Sequence, residues 1–222
     1  MPDSIAAVIN AMPYMLEGAL VTVFVVAGSM LLGLVVGIPL AVGQVYGGKA
    51  VRRLIGLYVW FFRGIPLLVL LFLFYFGFCA LVGLNLSAFT VAIVVLGVIS
   101  SAYQSQIFRG AINSLPHGQF KAARALGMSD LQAITFVILP QALRLSIPGW
   151  SNEYSIVLKD SAVTFALGVA EIMARTHFVA TRTYQHLPLY LAAGVIYLVL
   201  TYVGVKGLRL LERKVRIHGY AR

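Results

Sequence analysis

The sequence predicts an all-α polytopic membrane protein with about five spanning helices, and three observations carry this prediction. Of the 222 residues, 60% are hydrophobic and only 11% are charged, and the mean hydropathy is +0.92. Soluble domains carry about 25% charged residues. Three long intervals, 18–48, 64–108 and 183–205, contain no Asp, Glu, Lys or Arg. A water-soluble enzyme domain and a disordered chain are therefore excluded.

The spans follow from these intervals in chain order. The first and third intervals each fit one helix, because a span needs about 20 apolar residues. The middle interval fits two helices, with a turn marked by Gly77, Gly83, Asn85 and Ser87. A fourth span is apolar but interrupted by polar groups. Within a single transmembrane domain, 1–222, we expect spans at about 15–45, 55–78, 88–110, 134–166 and 188–209, and a cytoplasmic coupling loop at about 111–140.

The basic residues gather at one side of the predicted membrane. The chain carries 17 Lys and Arg against 7 Asp and Glu, for a net charge of +10. Cytoplasmic loops retain basic residues, so Lys49, which follows the first span, predicts an outer N-terminus and, after five spans, an inner C-terminus. Thirteen of the 17 cations fall on the inner side: Lys49, Arg52, Arg53, Arg109, Lys121, Arg124, Arg144, Lys206, Arg209, Arg213, Lys214, Arg216 and Arg222. This distribution excludes nucleic acid as the reason for the charge.

Signals for enzymatic chemistry are weak. The segment 43–50 nearly matches a phosphate-binding loop, but Ala50 replaces the Mg²⁺-binding hydroxyl and the segment follows an apolar helix. The single cysteine, Cys79, excludes an internal disulfide and a Cys-based zinc cage. No nucleophile–base set is visible. We therefore expect a chain that is not an enzyme and binds no cofactor, with ATP and Mg²⁺ on a separate chain. Because no Lys or Arg precedes Lys49, we also expect the first helix to be retained rather than cleaved as a signal peptide.

A compact helix–turn–helix is predicted in the loop after the third span. Gln119 to Leu126 favours a short helix, and Gly127 stands where a helix needs a left-handed residue after its end. Ser129 and Gln132 form a capping-box pattern that begins the next helix, and Pro140 kinks or interrupts it. The pattern suits either an ordinary surface linker or a docking element for a cytosolic partner.

This same loop carries a family resemblance. The run KAARALGMSDLQAITFVILPQALR resembles the EAA loop of binding-protein-dependent ABC importer permeases, with Ala122, Ala123, Gly127 and Leu139–Pro140 in register. Further motifs resemble the polar amino-acid branch: Arg63–Gly64 with Pro66–Leu67–Leu68, Ser101–Ala102–Tyr103, Arg109–Gly110–Ala111–Ile112, Gly118–Gln119, Pro140–Gln141–Ala142, Asn152–Glu153 and Lys159–Asp160–Ser161. The resemblance covers about residues 14–215, nearly the whole chain.

The resemblance implies the permease subunit of an ATP-driven type I ABC importer in the bacterial cytoplasmic (inner) membrane, moving a polar amino acid by alternating access. It implies four partners besides membrane lipid: nucleotide-binding ATPase subunits, a second permease chain, identical or related, an external solute-binding protein and the amino-acid substrate. It also implies that the residues coupling the chain to the ATPase are Lys121, Ala122, Ala123, Arg124, Gly127 and Met128. From the residues alone, a stand-alone ion-coupled secondary transporter or channel remains the alternative.

Four positions depart from the family pattern. Lys121 stands where the loop usually begins with Glu, which reverses the charge of the segment that faces the ATPase. Ile65, Ile99 and Gln106 replace a frequent Thr, Asn and acidic residue. These departures leave open whether this chain completes its own substrate pocket or shares one with a different permease chain.

The fourth span carries the candidate substrate site. Asn152, Glu153, Lys159 and Asp160 interrupt an apolar helix, and charges at bilayer depth normally face a cavity or a partner. Glu153 and Asp160 are seven residues apart and share one helical face. The functional interpretation is a site for a zwitterion: Glu153 or Asp160 for the ammonium, with the polar groups of Asn152, Lys159, Ser100, Ser101 and Tyr103. The structural alternative is a Lys159–Asp160 pair or hydrogen bonding between helices.

Two further features have structural interpretations. Arg63 with Gly64 and Pro66 predicts a break in the second span. Gly28, Gly33 and Gly37 predict a close helix contact, for which a subunit interface is one candidate.

Overall fold

The computed structural model describes residues 2–116 and 118–215, and side chains from residue 5 onward. Within these ranges the chain forms helices and no strand, which confirms the all-α prediction. In chain order the helices are α1 (Pro2–Tyr46), α2 (Lys49–Gly64), α3 (Leu67–Val82), α4 (Ala88–Asn113), α5 (Gly118–Ala125), α6 (Asp130–Leu167), α7 (Ile172–Thr183) and α8 (His186–Val215). Two of them change pitch: α3 is π-helical at Leu73–Phe78, and α6 is π-helical at Ala133–Ile138 and 3₁₀ at Ser161–Leu167.

About five spans are confirmed among the described residues. Four helices, α1, α4, α6 and α8, are long and apolar enough to cross a membrane, and α2 with α3 adds a fifth if this bent pair is one span. The pair bends by 104° at Ile65 and Pro66, both of which have extended backbone. Pro66 has no N–H to continue the ladder of α2, so the predicted break is confirmed as a sharp corner rather than a shallow kink. The direction in which the chain crosses the membrane stays a prediction.

A close helix contact joins α1 to α4 within this chain. A Cβ on Gly33 would lie 2.3 Å from Gln104 Nε2, and one on Gly37 would lie 3.2 Å from Gln104 Cβ. In the opposite direction, a Cβ on Gly97 would lie 2.4 Å from Leu32 Cδ2. Small residues let two backbones approach in a membrane, where dispersion contacts hold helices together. The predicted close contact is therefore confirmed for these glycines, but its partner is α4 and not another subunit.

Helix α7 lies across the ends of α1 and α8. Glu171, which is fully buried, accepts a hydrogen bond from the Ala174 backbone N–H as the cap of α7 and another from the Tyr197 hydroxyl of α8. The guanidinium of Arg175 pairs with Glu17 of α1 and lies over the Tyr14 ring at 4.4 Å. These contacts fix α7 to two spans at once.

Candidate functional site

Glu153 is the centre of the candidate site. Its side chain projects from α6 into the bundle and is 3% exposed. The Ser100 hydroxyl of α4 donates a hydrogen bond of 2.7 Å to Glu153 Oε1. A carboxyl group in an apolar interior requires such a partner, because desolvation without compensation is costly. One sequence-predicted pair, Ser100 and Glu153, is thus brought together across two helices.

Gln104 extends this pair into a network that the sequence did not reveal. Its Nε2 donates to Ser100 Oγ at 3.0 Å and to the Met30 carbonyl of α1 at 3.1 Å, while its Oε1 accepts from Trp150 Nε1 at 2.7 Å. The network therefore joins α1, α4 and α6 behind Glu153. The available signal was Ser100 and Gln104, four residues apart and on one face of an uncharged span.

Arg63 packs against Tyr103, which lies one helical turn from Ser100 on α4. Its guanidinium carbon lies 4.6 Å from the centroid of the Tyr103 ring, at the corner where α2 ends. Asp160 lies two helical turns beyond Glu153 on the same face of α6. Beside them, the Tyr58 hydroxyl lies 2.6 Å from Ser101 Oγ. The candidate site, the corner at Glu153, therefore includes one cationic group, Arg63, and two acidic groups, Glu153 and Asp160.

Not all predicted residues meet at this corner. Ser101 is buried with Ser100 and Glu153, and Tyr103 and Asp160 are half-buried. Asn152 and Lys159 are exposed on another face of α6. A helix advances about 100° per residue, so neighbours such as 152 and 153, or 159 and 160, diverge. The structure does not place Asn152 and Lys159 with Glu153.

The alternative explanation of these charges was an ion pair between Lys159 and Asp160. Within the described ranges the structure gives two ion pairs, Arg124–Asp130 and Arg175–Glu17, so Lys159 and Asp160 do not form one.

Among the described residues, no group of three or more His, Cys, Asp or Glu side chains is arranged to hold a metal ion.

The predicted helix–turn–helix is confirmed between α5 and α6. Gly127 has a φ of +85°. Its N–H donates to the Arg124 carbonyl at 3.0 Å, and the Met128 N–H donates to the Ala123 carbonyl at 3.2 Å, which is the hydrogen-bond pattern of a Schellman motif. Ser129 and Gln132 then form both halves of a capping box at the start of α6.

Arg124 closes the turn from outside. Its Nη1 donates to the Met128 carbonyl at 2.6 Å, and its Nε lies 2.9 Å from Asp130 Oδ1. Of the predicted coupling residues, Lys121, Ala122, Arg124 and Gly127 are exposed, Met128 is half-buried and Ala123 is buried. Ala123 therefore packs against its own bundle, and the accessible face of α5 is basic.

Two contacts fix α5 to the rest of the bundle. The Phe120 ring stacks on Tyr46 of α1 with centroids 5.2 Å apart. Gln119 and Gln141 exchange two side-chain hydrogen bonds of 3.1 and 2.8 Å. These contacts tie α5 to both α1 and α6.

Known proteins are similar to this chain in sequence and in fold. The family described as "Binding-protein-dependent transport system inner membrane component" matches residues 31–217. The chain is 36% identical over 197 residues to the probable amino-acid permease protein YxeN of Bacillus subtilis (strain 168), covering 88% of each chain. It is 34% identical over 210 residues to the histidine/lysine/arginine/ornithine transport system permease protein HisM of Salmonella typhimurium, covering 90% of this chain and 89% of that protein.

A solved structure agrees in fold. A crystal structure of an amino acid ABC transporter with histidines superposes with a TM-score of 0.83 at 31% sequence identity, covering 94% of this chain and 97% of that one. The similarity therefore extends over nearly the whole described chain and includes the helix–turn–helix.

Proposed function

Because the chain belongs to the family of inner membrane components of binding-protein-dependent transport systems, we propose that it carries a polar amino acid across the bacterial cytoplasmic membrane. It is a multi-pass permease subunit and not itself an enzyme, since its relatives are transmembrane subunits whose ATPase activity resides in separate subunits. The family assignment favours this function over the stand-alone secondary transporter that the sequence left open. The amino-acid class is supported by the relatives, whose names include histidine, lysine, arginine and ornithine.

The corner at Glu153 is the observation that carries the proposal. An amino acid presents an ammonium and a carboxylate, and the corner includes two acidic groups, Glu153 and Asp160, and one cationic group, Arg63. Ser101 and Tyr103 add a hydroxyl and an aromatic face beside them. With two acidic groups against one cation, the corner favours a ligand with net positive charge. Arg63 and Tyr58 thereby join the substrate-binding residues expected from the sequence.

The permease works with other chains. Membership of this family implies an ATPase and a substrate-binding protein as partners. In our proposal ATP and Mg²⁺ bind the ATPase subunits, the external solute-binding protein delivers the substrate, and the N-terminus lies outside. A second permease chain covers the exposed Lys159, because a charged side chain along a spanning helix does not face lipid.

The proposed cycle is alternating access driven from the cytoplasmic loop. The exposed face of α5, with Lys121, Ala122 and Arg124, contacts the ATPase subunit. Closure of the ATPase on ATP displaces α5, and α6 transmits this displacement as a rigid body toward Glu153. The same displacement opens the permease to the other side of the membrane. ATP binding and hydrolysis therefore bias which side of the membrane the corner at Glu153 faces.

The test is a comparison of the two buried glutamates in the assembled transporter. Glu153→Gln removes the charge at the corner, whereas Glu171→Gln removes a charge that is equally buried but lies at the cap of α7. We expect Glu153→Gln to weaken the apparent affinity for a transported cationic amino acid by about tenfold or more, since a charged hydrogen bond contributes roughly 1.5–3 kcal/mol. Uptake into proteoliposomes with ATP inside measures it.

The control separates ligand binding from stability. Glu171→Gln is expected to leave the apparent affinity unchanged even where it lowers thermal stability. If Glu153→Gln left the apparent affinity unchanged for every amino acid transported, Glu153 would not bind the ligand. If the purified chain transported the amino acid without any ATPase subunit, the proposed importer itself would be wrong.

A further inference from the structure

A polar groove lies between α6 and the basic end of α8, away from the corner at Glu153. It has a volume of about 620 Å³. Its α6 wall carries Ser151, Asn152 and Ser155, and its α8 wall carries Val205, Arg209 and Arg213. The two arginines are one helical turn apart, so both guanidinium groups reach the same opening. Glu212 also lines the groove, which leaves it with a net charge of +1.

A second, more apolar hollow of about 390 Å³ adjoins the same arginines. Its lining comprises Leu198, Thr201, Tyr202, Lys206 and Leu210 together with Val205, Arg209 and Arg213. The last three α8 residues belong to both hollows. Leu198 and Tyr202 are 68% and 63% exposed. They lie in the uncharged interval 183–205, where such exposure is typical of a surface that faces lipid.

The two hollows together form an amphiphilic site. Guanidinium groups bind phosphate oxygens in pairs, and they are the residues of choice for phosphate recognition. Basic pockets between spanning helices bind the head groups of anionic lipids. A ligand that fills both hollows needs a negative head group with hydrogen-bonding oxygens and an apolar chain attached to it.

We propose that the groove between α6 and α8 is a binding site for an anionic phospholipid. Its phosphate lies against Arg209 and Arg213, the hydroxyl groups of its head group bond to Ser151, Asn152 and Ser155, and one acyl chain follows the Leu198–Tyr202 surface of α8. Ordinary attraction of basic residues to a membrane surface needs neither the polar wall on α6 nor the adjoining apolar hollow. The lipid would tie α8 to α6, the helix that carries Glu153.

The experiment uses the assembled transporter in nanodiscs of phosphatidylcholine with or without phosphatidylglycerol. Native mass spectrometry counts the phosphatidylglycerol molecules retained after release from the nanodisc. The test variant is Arg209→Gln with Arg213→Gln. The matched control is Arg53→Gln with Lys214→Gln, which removes the same charge from exposed positions that line neither hollow. We expect about 30-fold weaker retention in the test variant, because each basic contact contributes about 1 kcal/mol near an anionic membrane. The control should retain phosphatidylglycerol as the unchanged chain does.

Three results would overturn the proposal. Equal losses in the test and control variants would show general attraction to anionic membranes. Displacement of phosphatidylglycerol by inorganic phosphate alone, with no effect of Leu198→Ser on retention, would show an anion site without a lipid. Loss of the second permease chain in both lipid compositions would show that the groove is an interface between chains. Weakened retention in Leu198→Ser, with both permease chains still present, is the result that the proposal requires.

Discussion

Replacing Gly97 by alanine places a methyl group between α1 and α4 where there is no room for it. The added Cβ would lie 2.4 Å from Leu32 Cδ2 and 2.8 Å from Leu32 Cβ. Rotation of the leucine side chain moves Cδ2 but leaves Cβ in place, so the two backbones must separate. Overpacking of this kind costs about 1–3 kcal/mol. Gly110 belongs to the same helix, and a Cβ there meets nothing within 4 Å.

The pair Gly97→Ala and Gly110→Ala isolates this packing cost. Alanine gains roughly 0.5–1 kcal/mol over glycine inside a helix at both positions, so the gain cancels in the difference. We expect the free energy of unfolding of Gly97→Ala to lie about 1–3 kcal/mol below that of Gly110→Ala. Titration with SDS in mixed micelles, followed by tryptophan fluorescence, measures both values. Equal stability of the two variants would refute the close α1–α4 contact.

Three further predictions address the turn at Gly127, the Gln119–Gln141 pair and the cap of α7. Gly127→Val forces a β-branched residue to a φ of +85°. We therefore expect the amount of substrate transported per ATP hydrolysed to fall, while membrane insertion is kept. Gly118→Val is the control, because Gly118 does not have a positive φ. Gln141→Leu removes its hydrogen bonds to Gln119 and to the Val137 carbonyl, so stimulation of ATPase activity by loaded binding protein should weaken; unchanged stimulation would contradict this. Burial raises the pKa of Glu171, so its contribution to stability is present below the ordinary carboxyl pKa and is lost as pH rises through the raised pKa. Glu171→Gln should therefore flatten the dependence of the unfolding free energy on pH over that range, and a slope that persists in the variant would contradict the prediction.

Local signals made the turn at Gly127 predictable from the sequence. A glycine after a short helix, followed by Ser129 and Gln132, specifies hydrogen bonds within a few residues, and the structure contains them. The break before α3 was equally visible, because Pro66 cannot continue a helix whatever surrounds it. In both cases the backbone chemistry of a short segment decides the outcome.

The network behind Glu153 was not predictable in the same way. Gln104 and Trp150 come from different helices, and their hydrogen bond depends on how α4 and α6 are turned toward each other. The same limit explains Asn152 and Lys159, whose sequence proximity to Glu153 and Asp160 suggested one site. Polar residues in a span signal that a partner exists, but only the rotation of the helix determines which partner it is.

Helix α6 runs from the Gly127 turn to the candidate site, and its regular hydrogen bonding is interrupted between them by a π-helical segment and by Pro140 and Pro148. The π-helical residues Ala133–Ile138 and then Pro140 weaken the regular ladder just after the capping box. Bending of α6 at this point would let α5 shift without moving Glu153. The hydrogen bonds of Gln141 oppose such bending. This residue lies beyond the π-helical segment, yet it donates back to the Val137 carbonyl and across to Gln119 of α5. The Gln119–Gln141 pair thereby ties α5 directly to the part of α6 that follows the π-helical segment.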